Sequence, residues 1–292
     1  MALMRVERSP LEHTSSQSDL LKGRSLGLLG AGNMAEALVR GIIQSRVIAA
    51  RHVIASDVSA ERRDLFRNNL GARATEDNLA VMASGDILVL CVKPQLVTTV
   101  ISQIAPAFDV NRHILASICA GVSTARLEKT LPPGARVIRV MPNTPMLVGL
   151  GASAVAGGAH ATDRDIETIE ALFASASMTV RVDEKMMDAV TGLSGSGPAY
   201  LFYLVEAMID AGVAEGFNAG QARALAVRTV LGAAKLLDET KESPQELRRR
   251  VTSPNGTTQA AIEHMDAGGV KSTIAAAIRR AAERSRELGK GN

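Results

Sequence analysis

Aromatic residues are scarce in this sequence: they make up 2% of its 292 residues, and tryptophan is absent. Nucleic-acid-binding surfaces combine aromatic stacking platforms with clustered basic side chains. Here the net charge is +3, and the sole dense basic run is Arg248, Arg249 and Arg250. These shortages argue against a nucleic-acid partner.

Cysteine is scarce as well, and the two present, Cys91 and Cys119, each follow an apolar run typical of a buried strand. Buried, reduced thiols are expected there, as in cytoplasmic proteins. No apolar run reaches the ~18 residues of a membrane-spanning helix, so we expect no membrane partner. Residues 1–22 lack the apolar core of a signal peptide, and we interpret them as a disordered tail.

Apolar residues are plentiful, since they make up 46% of the chain, and its length allows one large domain or two smaller ones. An apolar run at 25–29 leads into GAGNMA at 30–35, and a helical pattern follows to about residue 44. A GxGxxA turn between a strand and a helix is the fingerprint of a dinucleotide-binding fold. We therefore predict cofactor contacts from Gly30, Ala31, Gly32, Asn33, Met34 and Ala35.

The choice between NADH and NADPH stays open at this stage. Asp57 follows the second predicted strand, 52–56, close to the position of the carboxylate that binds ribose hydroxyls in NAD-dependent enzymes. A 2′-phosphate would instead suit the side chains nearby, which are Ser56, Ser59, Arg62 and Arg63. Asp57 is also compatible with a simple turn or helix-cap role.

Two more apolar runs, at 86–92 and 113–118, are typical of parallel strands covered on both faces. The loops after such strands face a cofactor that is bound at the fingerprint turn. They supply further candidate contacts, namely Lys93, Pro94, Ala120 and Gly121. Lys93 is also compatible with a solvated loop lysine. Asn143, in the loop after the strand at 136–140, suits either a cofactor amide or a cap of its own turn.

Strands alternate with helices as far as residue 184, which predicts a Rossmann-like, doubly wound α/β domain over 23–184. Residues 185–292 are predicted to form an all-α domain. The segment TGLSGSG at 191–197 is expected to break the chain before Pro198 restarts a helix. That helix is almost wholly apolar and must be covered, so we predict an intertwined homodimer. A self-contained helix bundle is the alternative.

The segment SPNGTT at 253–258 places turn residues and two hydroxyls before a predicted helix. A helix start leaves backbone N–H groups unpaired and suits a small anion such as a carboxylate. A threonine hydroxyl there can hydrogen-bond a neighbouring polar atom of the ligand. An ordinary capped helix after a tight turn is the simpler interpretation of the same residues.

Three segments, in order, resemble the pyrroline-5-carboxylate reductases: VMPNTP at 140–145, TGLSGSGPAY at 191–200, and SPNGTT at 253–258 followed by AAIEHMDAGG. The resemblance extends over about residues 25–288. It implies a dinucleotide-binding domain, a dimerisation domain, and reduction of 1-pyrroline-5-carboxylate to L-proline with NADPH or NADH. Cys119 stands where the family commonly has alanine, and Asn255 where many members have glycine. Asparagine also permits left-handed backbone geometry, so the late loop should survive.

The resemblance also implies roles for individual residues. Cofactor contacts are implied at Asn78, Val92 and Lys93. Substrate contacts are implied at Glu184, Ser253, Gly256, Thr257 and Thr258, with Thr258 as the catalytic candidate. Glu184 is equally compatible with a surface carboxylate, and Ser253 with a turn hydroxyl.

The residues make chemical sense of such a reaction, because a protonated cyclic imine needs positioning and a dry pocket more than a strong acid. Five scattered histidines and two strand cysteines make no metal-ligand pattern, so no metal is predicted. Two rivals stay open: another imine or β-hydroxyacid oxidoreductase on the same two-domain plan, and a non-enzymatic dinucleotide sensor or scaffold. The hydroxyacid enzymes typically carry a catalytic lysine shortly after a Gly-Ser-Gly segment at the start of the helical domain. Here PAYLFY, which follows Gly197, contains no lysine, so that rival is disfavoured.

Overall fold

The computed structural model describes residues 19–290. Most of the tail predicted at 1–22 lies outside these described residues, whereas residues 19–21 are helical and Leu21 is buried. The described chain divides into two compact units. One runs to Gly195 and resumes at Ala282, and the other is Ser196–Ala281. The functional boundary predicted after residue 184 stays a prediction.

The first unit alternates strands with helices. Its strands are β1 (Leu26–Leu29), β2 (Val53–Ser56), β3 (Arg73–Thr75), β4 (Ile87–Leu90), β5 (Ile114–Ser117), β6 (Arg136–Met141), β7 (Gly151–Gly157) and β8 (Ser177–Arg181). Its helices are α1 (Asn33–Ser45), α2 (Ala60–Leu70), α3 (Asn78–Ser84), α4 (Val97–Ile104), α5 (Thr124–Glu128), α6 (Asp163–Phe173) and α7 (Met187–Val190). Short 3-10 turns occupy Ala50–His52, Pro94–Leu96, Ala105–Ala107, Thr144–Val148 and Glu184–Met186.

The eight strands form one sheet in the order β3-β2-β1-β4-β5-β6-β7-β8. Neighbouring strands are parallel except β6 and β7, which pair antiparallel. The chain between Met141 and Gly151 is too short for the crossover that parallel pairing requires, so β7 must run back along β6. The predicted Rossmann-like α/β class is confirmed, with this one reversal added.

The central strands carry apolar side chains on both faces, and each face of the sheet packs into its own hydrophobic core. Leu29 stands beside Ser56 of β2 and Leu90 of β4, and Leu90 stands beside Ser117 of β5. The loops that leave these parallel strands therefore emerge next to one another. This edge of the sheet is where the candidate cofactor residues meet.

The second unit is helical. It contains α8 (Gly197–Ala214), α9 (Ala219–Thr240), α10 (Pro244–Arg250), α11 (Thr257–Ala267) and most of α12 (Val270–Lys290). A Cβ atom on Gly212 would lie 3.1 Å from the Cβ of Ala222, so α8 and α9 approach closely where both side chains are small. Within residues 19–290, none of the helices combines the length and apolarity of a membrane crossing.

The break predicted at 191–197 is wrong. Thr191–Gly195 continue as a π-helix, and Ser196 keeps helical backbone angles before α8 begins. The hydroxyl of Thr191 donates to the Met187 carbonyl at 2.9 Å, and that of Ser194 donates to the Val190 carbonyl at 3.2 Å. These bonds to the preceding turn carry helical geometry through a glycine-rich segment.

Candidate cofactor and substrate sites

The turn after β1 has the backbone that a dinucleotide requires. Gly30 adopts φ 101°, and a Cβ atom there would lie 2.9 Å from the carbonyl oxygen of Cys91. Only glycine combines that angle with so close an approach. A Cβ on Gly32 would meet nothing within 4 Å, and Ala35 is buried where α1 packs on the sheet.

The first turn of α1 is open to an anion. Gly32 is its N-cap and makes no side-chain cap hydrogen bond, so the first backbone N–H groups point away from the helix with no capping side chain. Open space in front of Gly32 and the positive end of the helix suit a pyrophosphate. The residues present therefore fit a dinucleotide cofactor.

The end of β2 is tied to this turn. Asp57 Oδ2 accepts a hydrogen bond from the Ala31 N–H at 2.9 Å, and Asp57 Oδ1 accepts one from the Ser59 N–H at 2.8 Å. Arg62 Nε donates to the Ala31 carbonyl at 2.6 Å, and Arg62 Nη2 pairs with Glu36 at 2.8 Å. The carboxylate predicted to face a ribose thus also holds its own loop in shape.

The other candidate cofactor residues lie along the same edge. The Ser56 hydroxyl donates to Asn78 Oδ1 at 2.6 Å, which joins the end of β2 to the start of α3. Lys93 is exposed and precedes the turn that Pro94 begins, and Val92 is half-buried. Beyond β5, Ala120 is half-buried, while Gly121 is buried with φ 72°.

Both cysteines are free thiols at this edge. Cys119 is buried as predicted, whereas Cys91 is half-buried. The Cys119 Sγ donates to the Val92 carbonyl at 3.2 Å. Burial raises the pKa of the Cys119 thiol to about 11 and that of Cys91 well above its usual value. Neither is a ready nucleophile at neutral pH.

The start of α11 presents a second open helix terminus. Asn255 adopts φ 58°, the left-handed geometry predicted for it, and its N–H donates to Gln259 Oε1 at 2.8 Å. The Gly256 N–H donates to the Ser253 carbonyl at 3.0 Å, and Gly256 is an N-cap without a side-chain cap bond. Thr257 is exposed and Thr258 is half-buried. This helix start is open to a small anion, and the carboxylate contact expected from the sequence stays a prediction.

Glu184 belongs to the first unit. Its Oε1 accepts from Arg139 Nη1 at 2.9 Å. Burial raises the pKa of the Glu184 carboxyl, and the hydrogen bond from Arg139 opposes that rise. Sequence reasoning missed Arg139, because an arginine inside an apolar strand was interpreted as part of the strand alone. Among residues 19–290, no three His, Cys, Asp or Glu side chains converge as metal ligands.

Residues 184–288 match the family model described as pyrroline-5-carboxylate reductase dimerisation, and residues 25–121 match that of NADP oxidoreductase, coenzyme F420-dependent. The chain is 41% identical, over 270 residues, to the pyrroline-5-carboxylate reductase of Methanosarcina acetivorans. That alignment covers 92% of this chain and 100% of the relative. The chain belongs to the pyrroline-5-carboxylate reductase family.

Solved structures of the family share the fold. That of a pyrroline-5-carboxylate reductase from Coxiella burnetii superposes with a TM-score of 0.85 at 31% identity, covering 91% of this chain and 98% of the other. That of pyrroline carboxylate reductase from Plasmodium falciparum, with NADP bound, gives 0.82 at 28% identity, covering 91% and 98%. The membership predicted from three short segments is confirmed.

The dimerisation match explains an imbalance in the helical unit. Between Ser196 and Ala281, Ala222 and Ala226 are the residues that the chain buries by itself. Large apolar side chains on α8 stay exposed instead, including Leu201, Phe202 at 63% and Tyr203 at 76%. The predicted self-association is confirmed, and these side chains are what a second copy would cover.

Proposed function

We propose that this chain reduces the C=N bond of 1-pyrroline-5-carboxylate to give L-proline, the last step of proline biosynthesis, with NADPH or NADH as reductant. The observation that carries the proposal is 41% identity, across 92% of the chain, to a relative named for this activity. The open helix starts at Gly32 and Gly256 support it independently, because the cofactor carries phosphates and the substrate carries a carboxylate.

The cofactor, when bound, supplies the hydride. The turn and first residues of α1 hold its pyrophosphate through Gly30, Ala31, Gly32, Asn33, Met34 and Ala35. Asp57 and Asn78 face the adenine ribose. The loops after β4 and β5 contact the nicotinamide end through Val92, Lys93, Pro94, Ala120 and Gly121.

The substrate carboxylate is bound at the open helix start after Gly256, by the backbone N–H groups of Thr257 and Thr258. The hydroxyl of Thr258 hydrogen-bonds the ring nitrogen and orients its proton. Ser253 shapes the loop, since its carbonyl accepts from the Gly256 N–H at 3.0 Å. The imine carbon gains a hydride and the nitrogen keeps a proton, so the iminium becomes a neutral secondary amine. Positioning is the main task of these side chains.

A functional division into 23–184 for the cofactor and 185–292 for the substrate and self-association belongs to the same proposal. The dimerisation match, which begins at residue 184, supports that boundary. A cytoplasmic location is also proposed, and it is supported by two free thiols with no disulfide between them. Fractionation of cells that express the full chain tests the location.

The decisive experiment follows nicotinamide absorbance after 1-pyrroline-5-carboxylate is added to the purified full chain with NADPH or NADH. Loss of absorbance matched by proline formation is the expected result. A panel of 2-hydroxy acids serves as the comparison, because preferential turnover of those would favour the hydroxyacid rival. Cofactor binding without turnover of any substrate would leave a sensor or scaffold instead.

A further inference from the structure

The loop after β5, Cys119–Ser123, is packed directly against the last turns of α12. A Cβ atom on Gly121 would lie 3.2 Å from the Leu288 Cβ and 3.4 Å from the Ser285 carbonyl oxygen. Seen from the helix, a Cβ on Gly289 would lie 2.9 Å from the Gly121 carbonyl oxygen. A side chain on Gly289 would collide with the loop backbone, and one on Gly121 would sit at a positive φ and press on Leu288. The position of the loop therefore depends on the position of the helix end.

A buried polar network ties that helix end to the sheet. Arg139 on β6 is 5% exposed at its side chain, and its Nη1 lies 2.9 Å from Glu184 Oε1. Its Nη2 lies 3.7 Å from Asp188 Oδ1 on α7. The Ser285 hydroxyl of α12 donates to the same Asp188 oxygen at 2.6 Å. We call these four residues the Arg139 network: Arg139, Glu184, Asp188 and Ser285.

The Arg139 network also lies beside the start of the loop. Arg139 stands opposite Ser117, the last residue of β5 and two residues before Cys119. The loop is thus flanked by Arg139 at the sheet and by the end of α12 at Gly121.

The network leaves buried polar atoms unpaired. Within residues 19–290, Arg139 Nε, Arg139 Nη2 and Glu184 Oε2 are buried without a hydrogen-bond partner, and so are Arg126 Nη1 and Arg136 Nε. Such atoms destabilise a fold, and apolar side chains of similar size would avoid that loss. The Arg139 network differs from the Arg136 pair in lying beside a candidate cofactor loop, and this position is what favours a role in the site.

We propose that the Arg139 network is a positioning device, which holds the Cys119–Ser123 loop at the distance from the nicotinamide that hydride transfer requires. Arg139, Glu184, Asp188 and Ser285 act through the loop and are positioning residues. The inference rests on the proposed function, because Ala120 and Gly121 are nicotinamide contacts only within it. It also gives Glu184 a place in the enzyme other than the substrate contact predicted from the sequence.

Two variants test the network. Glu184→Gln keeps the shape of the side chain but removes its charge, and Ser285→Ala removes one hydroxyl. The adenosine and pyrophosphate half of the cofactor is held by other loops, so the NADPH dissociation constant should stay within about twofold. The kcat should fall about tenfold to a hundredfold for Glu184→Gln and about threefold to tenfold for Ser285→Ala, because small misplacements of the reacting groups slow transfer strongly.

A second readout does not depend on turnover. The chain has no tryptophan, so the fluorescence of bound NADPH can be recorded free of tryptophan emission. That fluorescence reports the surroundings of the nicotinamide, and its intensity should change in both variants at saturating cofactor. The wild-type chain gives the reference for both measurements.

Asp165→Asn is the matched control. Asp165 pairs with Arg136, on the same strand as Arg139, at 2.9 Å, and its side chain is also buried. This pair lies at the opposite end of β6 from the loops, so its loss should lower the Tm but leave kcat and NADPH fluorescence as in wild type.

The proposal would be overturned if Glu184→Gln and Ser285→Ala lowered the Tm but kept the wild-type kcat and NADPH fluorescence. A Glu184→Gln chain that does not fold leaves the decision to Ser285→Ala, which makes the smaller change. A wild-type chain that binds NADPH but does not reduce the imine would count against the proposed function, and the fluorescence comparison would still decide whether the network controls the nicotinamide end.

Discussion

The two units treat apolar residues in opposite ways. The first unit buries strands such as Leu26–Leu29 and Ile87–Leu90 completely, between helices on both faces of the sheet. The second unit is equally apolar along α8, yet α8 has no buried residue. Two packed helices bury only the side chains along their line of contact, here Ala222 against Gly212. A sheet with helices on both faces encloses the side chains of both faces. One unit is therefore complete as a single chain, and the other is completed by a second copy.

Phe202→Asp should break the comparison most strongly. Phe202 is 63% exposed in the single chain, and the dimer would cover it. The substitution removes the free energy gained by burying the ring and places an unpaired charge in the interface. We expect the dimer to dissociate at micromolar concentration, as measured by sedimentation or light scattering. Val58→Asp is the control, because Val58 is 92% exposed in the first unit and should leave the mass unchanged. A Phe202→Asp chain that stays dimeric would show that α8 is not the contact.

The fingerprint turn offers a contrast inside the first unit. Gly32→Val should weaken NADPH binding at least about a hundredfold, because its side chain occupies the approach of the pyrophosphate, while the open space around it leaves the fold intact. Gly30→Ala should lower the Tm as well, since its Cβ would meet the Cys91 carbonyl at a positive φ. Calorimetric cofactor titration and thermal melting separate the two. Equal losses of Tm in both variants would contradict this account of the turn.

Thr258→Ala sharpens the comparison on the helical side. We expect kcat to fall about tenfold to a hundredfold through loss of an orienting hydrogen bond, with NADPH affinity unchanged, because the cofactor turn lies in the other unit. Thr257→Ala is the neighbouring control, since only its backbone N–H is assigned a role, and it should keep most activity. Full proline-forming activity in Thr258→Ala would remove the hydroxyl from the mechanism.

The smallest expected effect is on the pH dependence of stability. Burial raises the pKa of Glu184. The Arg139 guanidinium lowers this pKa and the Asp188 carboxylate raises it, and the net shift is upward. A carboxyl whose pKa is higher in the folded state than in the unfolded state contributes to stability. That contribution is complete at pH values below the unfolded-state pKa and is lost as the pH rises through the folded-state pKa. Wild-type Tm should therefore decline more than that of Glu184→Gln as pH rises from about 4.5. Parallel Tm profiles would show that the carboxyl titrates normally.

Local pattern was enough to predict much of the fold. The apolar run at 25–29 and the helical pattern to about residue 44 correspond to the strand Leu26–Leu29 and the helix Asn33–Ser45, because the apolar periods of strands and helices differ. The glycines at 191–197 were misinterpreted as a break, since nothing local shows that the hydroxyls of Thr191 and Ser194 reach back to helix carbonyls.

The candidate site divides in the same way. The turns at Gly30, Asn255 and Gly256 were predicted because short runs of turn-forming residues favour a particular backbone geometry. The Arg139 network joins Arg139 to Asp188 and Ser285, which are far apart in the chain. No spacing rule connects such residues, so only the fold brings them into view.

The raised pKa values of the two thiols have a practical consequence. With the pKa of Cys119 near 11 and that of Cys91 also raised by burial, maleimide or iodoacetamide labels at neutral pH should leave both native cysteines largely unmodified. A single exposed cysteine outside the predicted dimer contact, such as Val58→Cys, then becomes a specific labelling site. Spin labels or dye pairs at that position would allow the distance between two copies to be measured by spectroscopy, without prior removal of either native thiol.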